Sequence, residues 1–445
     1  MPSDAACRVN EAAVYRKVTL RLMPYLFLCY ILAYIDRVNV GFAKLQMQRD
    51  LGMTEAVYGL GAGIFFIGYF LFEIPANMIL ERVGARRWIG PIMIAWGILS
   101  AMTMWVQTAG AFYLLRFLLG LVESGFFPGV ILYLTFWYTE KHRARMVALF
   151  MSAVPLAGVV AGPVSGWIMA RMSGAGNLRA WQWLFLLEGL PACAAGIVAL
   201  FYLTDNPAGA PWLTSAEREF LVSRLEEEKA AKARSSATHH SWTAALRSGK
   251  VWLFGLIYFG FVMGNYALGF WLPQLIADTL TGNAMAIGWL SVIPWGSGAL
   301  AMIFFGRHSD KTGERRIHIA LAGVVGAAAF AISAVPGISG AAGLAALTFA
   351  TVGIMCAFST FWALPTAILS GTAASAGIAW INSLGNLSGY VGPYAIGSIR
   401  DATHSMTAAL LVISASALLA SAATLWAAPS GVAHKHVHAA AGTSI

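Results

Sequence analysis

Six ionisable side chains stand inside otherwise apolar stretches of this chain: Asp36, Arg37, Glu73, Arg116, Glu123 and Glu188. A charge at the centre of a bilayer costs about 2.5–3.5 kcal/mol on insertion scales, so each is by default a candidate for handling an ion, a proton or a charged ligand. All six lie in the first half of the chain. The second half holds no acid or base away from the ends of its apolar runs, so it can offer a ligand only neutral polar and aromatic groups.

Helical spacing sorts the six further. Asp36 and Asn39 share a face, as do Tyr34 and Arg37, while Asp36 and Arg37 diverge by about 100°. Asp36 and Arg116 fall at similar depths, about 9–11 Å from the outer ends of their runs at 1.5 Å per residue. Arg116 is therefore expected to neutralise Asp36, leaving Arg37 to pair with Glu123 or with a substrate carboxylate. Glu123 lies two turns beyond Arg116 on the same face. Flanked by Gly120, Gly125 and Pro128, it has room for water or ligand and is expected to carry a proton. Glu73 reads better as a helix-end interaction, and Glu188 as a structural group.

The elements that position these residues must be long and apolar. Of 445 residues, 58% are hydrophobic and 11% charged, against roughly 25% charged in a soluble domain. Such a chain cannot cover itself with a water-compatible surface. Runs long enough to cross about 30 Å of hydrocarbon recur at 20–43, 56–80, 88–107, 111–137, 145–170, 181–203, 251–276, 284–305, 317–335, 341–368, 374–398 and 405–427. They predict an all-α integral membrane protein of twelve transmembrane helices in two six-helix bundles.

A polar stretch divides the spans six and six. The expected organisation is an N-terminal bundle at 1–204, a cytoplasmic linker at 205–250, a C-terminal bundle at 251–430 and a cytoplasmic tail at 431–445. Within the linker, Trp212 to Lys229 predicts a short surface helix, with Thr214 and Glu217 at capping-box spacing and Phe220, Leu221 and Leu225 on one apolar face.

The net charge of +9 has a topological origin rather than a nucleic-acid partner. With both termini inside, 22 of the 29 Lys and Arg residues fall on the cytoplasmic side and 5 outside; Arg37 and Arg116 are within spans. That bias predicts an N-in, C-in orientation. Residues 1–20 are polar and lack the apolar core of a cleavable signal. Cys7, Cys29, Cys193 and Cys356 have no metal-like spacing and read as inert packing thiols.

An internal repeat supports two related halves. After the second span the chain reads ERVGARR, with Glu81, Arg82, Gly84 and Arg86; after the eighth it reads GRHSDKTGERR, with Gly306, Asp310, Lys311, Gly313 and Arg315. Both are tight, charged turns, six spans apart. Gly158, Gly162, Pro163 and Gly166 in span 5 are echoed by Gly385, Gly389, Gly392 and Pro393 in span 11. Small residues at this spacing let helices approach closely, and the prolines permit bending.

With these features the chain resembles the major facilitator superfamily. The second loop motif matches closely; the first has Asn77 where Gly is usual and Glu81 in place of Asp. YIDRVNVGFA (34–43), RFLLGLVESGFFPG (116–129), WQWLFLLEGLP (181–191) and the stretch from Phe361 to Gly397 resemble its anion:cation symporter family, most of all bacterial tartrate, hydroxyphenylacetate and phthalate permeases. The resemblance spans roughly residues 15–430.

It implies secondary active transport by alternating access, a proton-coupled symport of a small organic anion across the cell inner membrane. Asp36 and Glu123 match the acids that carry the coupled proton. Arg37 matches the arginine at the substrate anion, and Arg116 the arginine that tunes the acids. Tyr34, Tyr69, Tyr266, Trp362, Asn382 and Asn386 match positions lining the cavity, and the two loop motifs act as conformational gates. The expected partners are the organic anion, protons and lipid. The protein is expected to be a monomer, not an enzyme, with no cofactor beyond H+ as coupling ion, no metal and no nucleic acid. The alternatives are an anion exchanger or uniporter without proton coupling, and a non-transporting membrane sensor.

Overall fold

A computed structural model describes residues 10–235, 247–368 and 373–427. The middle of the expected linker, the tail at 431–445 with its alternating histidines, Cys7, and the side chain of Glu81 lie outside what is described. All described elements are helices.

Eleven helical segments among the described residues are long and apolar enough to cross a membrane. The helix Ala373–Thr403, 31 residues long, supplies the twelfth expected span. It carries Asn382, Ser383, Asn386 and Ser388, and so is more polar than its neighbours. The expected spans are thus all occupied by helix, and several extend further than their apolar cores. Span 1 runs from Glu11 to Asp50 and span 5 from Glu140 to Arg171.

Side-chain caps define many of the starts. Asn10, Thr54, Thr108, Asn283 and Ser339 each accept a hydrogen bond from the backbone N–H three residues on, satisfying a donor that helix geometry leaves unpaired. The polar stretch forms a helix at Ser215–Ser235. There Thr214 N–H donates to Glu217 and Glu217 N–H to Thr214 Oγ1, at 2.8 and 3.3 Å. Lys17 Nζ reaches Glu217 at 2.7 Å and ties this helix to span 1.

Apolar burial is inverted relative to a soluble protein. Phe201 and Trp426 are 81% and 80% exposed, whereas Asp36, Arg116 and Glu123 are buried. Large apolar side chains facing outward along the spans are what a hydrocarbon solvent requires.

Among the described residues, four spans are interrupted midway. Span 1 breaks at Asn39, span 4 at Ser124–Gly125, span 5 at Ser152 and span 10 at Trp362. Side-chain donors also reach backbone carbonyls beside two of these breaks. Trp88 Nε1 donates to Gly125 O at 3.0 Å, and Tyr58 OH lies 3.2 and 3.3 Å from Val40 O in span 1 and Phe270 O in span 7.

The two halves touch where span 5 meets span 8 and span 2 meets span 11. A Cβ on Gly162 would sit 2.5 Å from Gly288 O, and one on Gly63 would sit 2.8 Å from Tyr390 O. Only glycine permits such backbone approach. Both seams lie toward the ends of the spans remote from the N-terminus. At the other end, which carries the basic turns near Arg86, Arg143 and Arg315, the halves part around a cavity of about 950 Å³.

Candidate functional site

The cavity is lined near its mouth by Thr135, Ala144, Gly306 and Arg315 and deeper by Glu73, Tyr258, Trp362 and Asn382. A narrower recess, sharing Phe127, Tyr258 and Asn382 with it, continues inward to Tyr34, Arg37, Tyr69, Tyr266 and Asn386. Seven expected substrate-site residues therefore line one continuous space: Arg37, Tyr34, Tyr69, Tyr266, Trp362, Asn382 and Asn386. The eighth, Arg116, lies behind it.

Arg37 stands at the deep end. Its guanidinium forms a buried ion pair with Glu123, Nε donating to Oε1 at 3.1 Å and Nη2 closer to the same oxygen. Its charge also lies over the rings of Phe65, Tyr69 and Tyr34, with Cζ 5.4, 5.5 and 5.9 Å from the centroids. Such faces attract a cation most when it is desolvated. Glu123 Oε2 has no donor.

The expected Asp36–Arg116 pair does not form. Asp36 Oδ1 instead accepts from Ser100 Oγ at 2.5 Å and Asn39 Nδ2 at 3.3 Å. The Arg116 guanidinium lies over Phe65, 5.1 Å from the centroid, and Nη2 donates to Ala62 O at 3.4 Å. Its Nε and Nη1 have no acceptor. Equal depth did not bring the two together, because Asp36 faces span 3 through Ser100 while Arg116 faces span 2.

The C-terminal half contributes neutral groups. Asn265 Nδ2 donates to Tyr34 OH at 3.2 Å, and Tyr266 OH donates to Asn386 Oδ1 at 3.1 Å. Trp362 sits at the span 10 break, its ring edge-on to Tyr258 at 4.9 Å. Glu73 is not a helix-end group. Asn382 Nδ2 and Ser383 Oγ donate to its two oxygens at 3.3 and 2.9 Å, joining span 2 to span 11 across the halves. An acid within an apolar run was its signal in the sequence, but its partner was not legible.

A second charged cluster joins the two halves at the opposite face, and sequence spacing does not reveal it. Lys44, with a fully buried side chain, reaches Glu55 at 2.8 Å and Gln274 at 3.4 Å. Arg400 joins Glu55 at 3.4 Å and Asp278 at 2.9 Å. Asp401 accepts from the backbone N–H groups of Glu55 and Ala56 at 3.0 and 2.8 Å, capping span 2 from the other half. Lys44 meets Glu55 at the start of the next span, and Arg400 reaches back 345 residues to the same acid, a partner that nothing in its local sequence points to.

The loop motifs divide likewise. In the second, Arg315 pairs with Asp310 and donates to Ser309 Oγ at 3.1 Å, around Gly313 at φ +66°. Gly306 and Lys311 lie in the last two turns of the preceding helix, Ala284–Thr312. In the first, Gly84 has φ +86° and Arg86 Nε donates to Leu200 O at 3.1 Å, while Arg82 is exposed.

The Major Facilitator Superfamily matches residues 26–393. This chain belongs to that superfamily. A relative from Agrobacterium vitis, bearing the name "Putative tartrate transporter", is 47% identical over 93% of this chain and 91% of its own. The inner membrane transport protein RhmT of Escherichia coli is 36% identical over 92% and 94%. Among solved structures, the inward open conformation of the xylose transporter XylE from E. coli superposes with a TM-score of 0.72 at 14% identity, covering 94% of this chain and 99% of that one. The chain is thus a multi-pass membrane transporter of the major facilitator fold, and the deep recess lies between its halves as such a transporter requires.

Proposed function

We propose that this transporter imports a small organic carboxylate together with protons, a hydroxy acid of the tartrate class, across the bacterial inner membrane. The observation that carries the reading is the Arg37–Glu123 pair at the blind end of the recess. An arginine offers a planar fork suited to a carboxylate, and here its acidic partner is removable by a proton. When Glu123 is protonated, Arg37 is free for the substrate carboxylate. When the substrate leaves and the proton follows, Arg37 returns to Glu123.

With the Lys and Arg bias placing the basic turns inside, both termini are cytoplasmic and the 950 Å³ cavity opens to the cytoplasm. The far-face cluster of Lys44, Glu55, Asp278 and Arg400 then holds the periplasmic side shut. Asp36 and Glu123 are the proton carriers. Tyr34, Tyr69, Tyr266, Trp362, Asn382 and Asn386 read the non-carboxylate part of the substrate. The turns containing Glu81, Arg82, Gly84 and Arg86, and Gly306, Asp310, Lys311, Gly313 and Arg315, gate the cytoplasmic side, in a chain that works as a monomer without a cofactor. The hydroxy-acid class follows from the amide and phenol groups of the recess and from the name carried by the 47% identical relative.

The test is uptake of radiolabelled L-tartrate into proteoliposomes with an alkaline interior. Accumulation above equilibrium that collapses when the pH gradient is dissipated supports the reading. Equal uptake with and without the gradient refutes proton coupling, and no saturable uptake of L-tartrate or other small carboxylates refutes the substrate class.

A further inference from the structure

The wide part of the cavity differs in chemistry from its blind end. Phe127 and Ile131 of span 4 and Met151 of span 5 form one wall; Met302 of span 8 and Met355 and Phe358 of span 10 form the other. All but Met355 are half-buried, so apolar surface faces the open space. A small hydroxy acid gains little from such walls, because it has almost no apolar surface to remove from water.

Polar groups along the route are few and engaged. Near the mouth Arg315 pairs with Asp310. Midway, Glu73 accepts from Asn382 and Ser383 of span 11. Phe127, Met151, Tyr258 and Phe358 line both the cavity and the recess, so the apolar walls continue to the space that ends at Arg37. Arg37 is the one base among the described residues lining that recess. The whole is an apolar channel of about 950 Å³ at its wide part, with a single cation at its end. Pockets of about 300–1,000 Å³, apolar with a few placed polar groups, suit ligands far larger than tartrate.

We propose that the carrier in this conformation takes a second class of ligand, an amphipathic monocarboxylate, with its head at Arg37 and an alkyl or aryl tail between the two apolar walls. Such a ligand is a wedge and not a substrate. Alternating access rocks one half against the other and must bring these walls together. A tail lying between them binds one state better than the other and shifts the population toward it. The three methionines, unbranched and polarizable, adapt to tails of different shape. The head-group contact rests on the reading of Arg37 as the carboxylate site; the tail contact does not.

The experiment titrates butyrate, hexanoate and octanoate, with octanol as the uncharged control, into the purified protein in lipid nanodiscs by calorimetry, against empty nanodiscs. Affinity should rise about threefold to fourfold for each added methylene, and octanol should bind far more weakly than octanoate. Arg37→Ala should remove octanoate binding. Ile131→Asn and Met302→Gln should keep the affinity for butyrate and flatten the dependence on chain length. Affinity that does not grow with the chain, octanol binding as tightly as octanoate, or an unaltered dependence in both wall variants would each overturn the proposal. Spin labels on the loops following spans 1 and 7 need no change in the cavity and serve should the wall variants fail to fold. Octanoate should deplete their longer-distance component; no change, or growth of that component, overturns the wedge. If L-tartrate is not taken up while the chain-length series behaves as expected, the substrate reading fails and the wedge stands. Saturable L-tartrate uptake beside a flat series decides the reverse.

Discussion

Arg37 and Glu123 meet at the carbonyl ends of two interrupted helices. Arg37 lies in the last turn of Glu11–Val38, where the helix dipole favours a cation. Glu123 is the last residue of Ala109–Glu123, where the dipole disfavours an anion. The pair is therefore unequal. Arg37 is held by its helix end, by three aromatic faces and by Glu123, whereas Glu123 has Arg37 as its one hydrogen-bonding partner among the described residues. A proton competes for Glu123 far more readily than any neighbour competes for Arg37. A ligand can bias a two-state carrier only through such differential interactions.

Arg37→Ala should abolish carboxylate binding with the fold intact, because the spans of the second half offer no basic group at the recess. Removing one side of a buried charged contact costs on the order of 2–5 kcal/mol, so L-tartrate titrated by calorimetry should show no measurable heat of binding. Arg37→Lys should also bind weakly, since a point charge cannot reproduce the bidentate fork. Unchanged affinity in either variant would remove Arg37 from the substrate site.

Asp401→Ala should loosen the closed face. Asp401 caps span 2 from span 11, and losing a cap costs about 1 kcal/mol, enough to raise the opposite-facing population about fivefold. Arg400→Gln should act in the same direction by freeing Glu55 and Asp278. Distances between spin labels on the loops following spans 1 and 7 report the change, the longer component growing. An unaltered distribution in both variants would make this cluster structural rather than a gate.

Tyr266→Phe and Asn382→Leu should change substrate selectivity more than abundance. The first removes the donor to Asn386; the second removes one of the two donors that Glu73 receives across the halves. Competition of unlabelled organic acids against L-tartrate uptake gives the selectivity, and thermal stability of the purified variants gives the structural cost. A uniform fall for every acid, together with lost stability, would mark both residues as packing groups.

Much of this was legible because hydrocarbon imposes simple rules. A long apolar run must be helical, so the spans were readable. A buried charge must have a purpose, so Arg37, Glu123 and Asp36 stood out. Partnerships were harder. Depth placed Asp36 level with Arg116, but rotation about the helix axis turned Asp36 toward Ser100, and spacing along one helix carries no information about its neighbour's azimuth. Glu73 and Arg400 show the same limit at longer range: each has a partner in the other half, where only the packed structure brings them together. The break at Asn39 was hidden as well, since no proline or glycine marks it.

Replacing Glu123 separates coupling from substrate movement. Glu123→Gln has the shape of the protonated acid and cannot return to a charged state, so Arg37 loses its competing anion permanently. The variant should bind L-tartrate and exchange it in counterflow. It should lose accumulation driven by an inward proton gradient, because no proton binds or leaves at this centre during a cycle. For each coupled proton, one unit of pH difference sustains about tenfold accumulation, the equivalent of 1.4 kcal/mol. Wild type should reach that order, and Glu123→Gln should fall toward equal concentrations inside and out. Asp36→Asn should share part of the loss, since Asp36 carries its own share of the coupling. Proteoliposome uptake with and without an imposed pH gradient, run beside counterflow, measures both quantities. If Glu123→Gln and Asp36→Asn both concentrate L-tartrate as well as wild type, neither acid couples protons to transport, and the Arg37–Glu123 exchange described above is not how this carrier works.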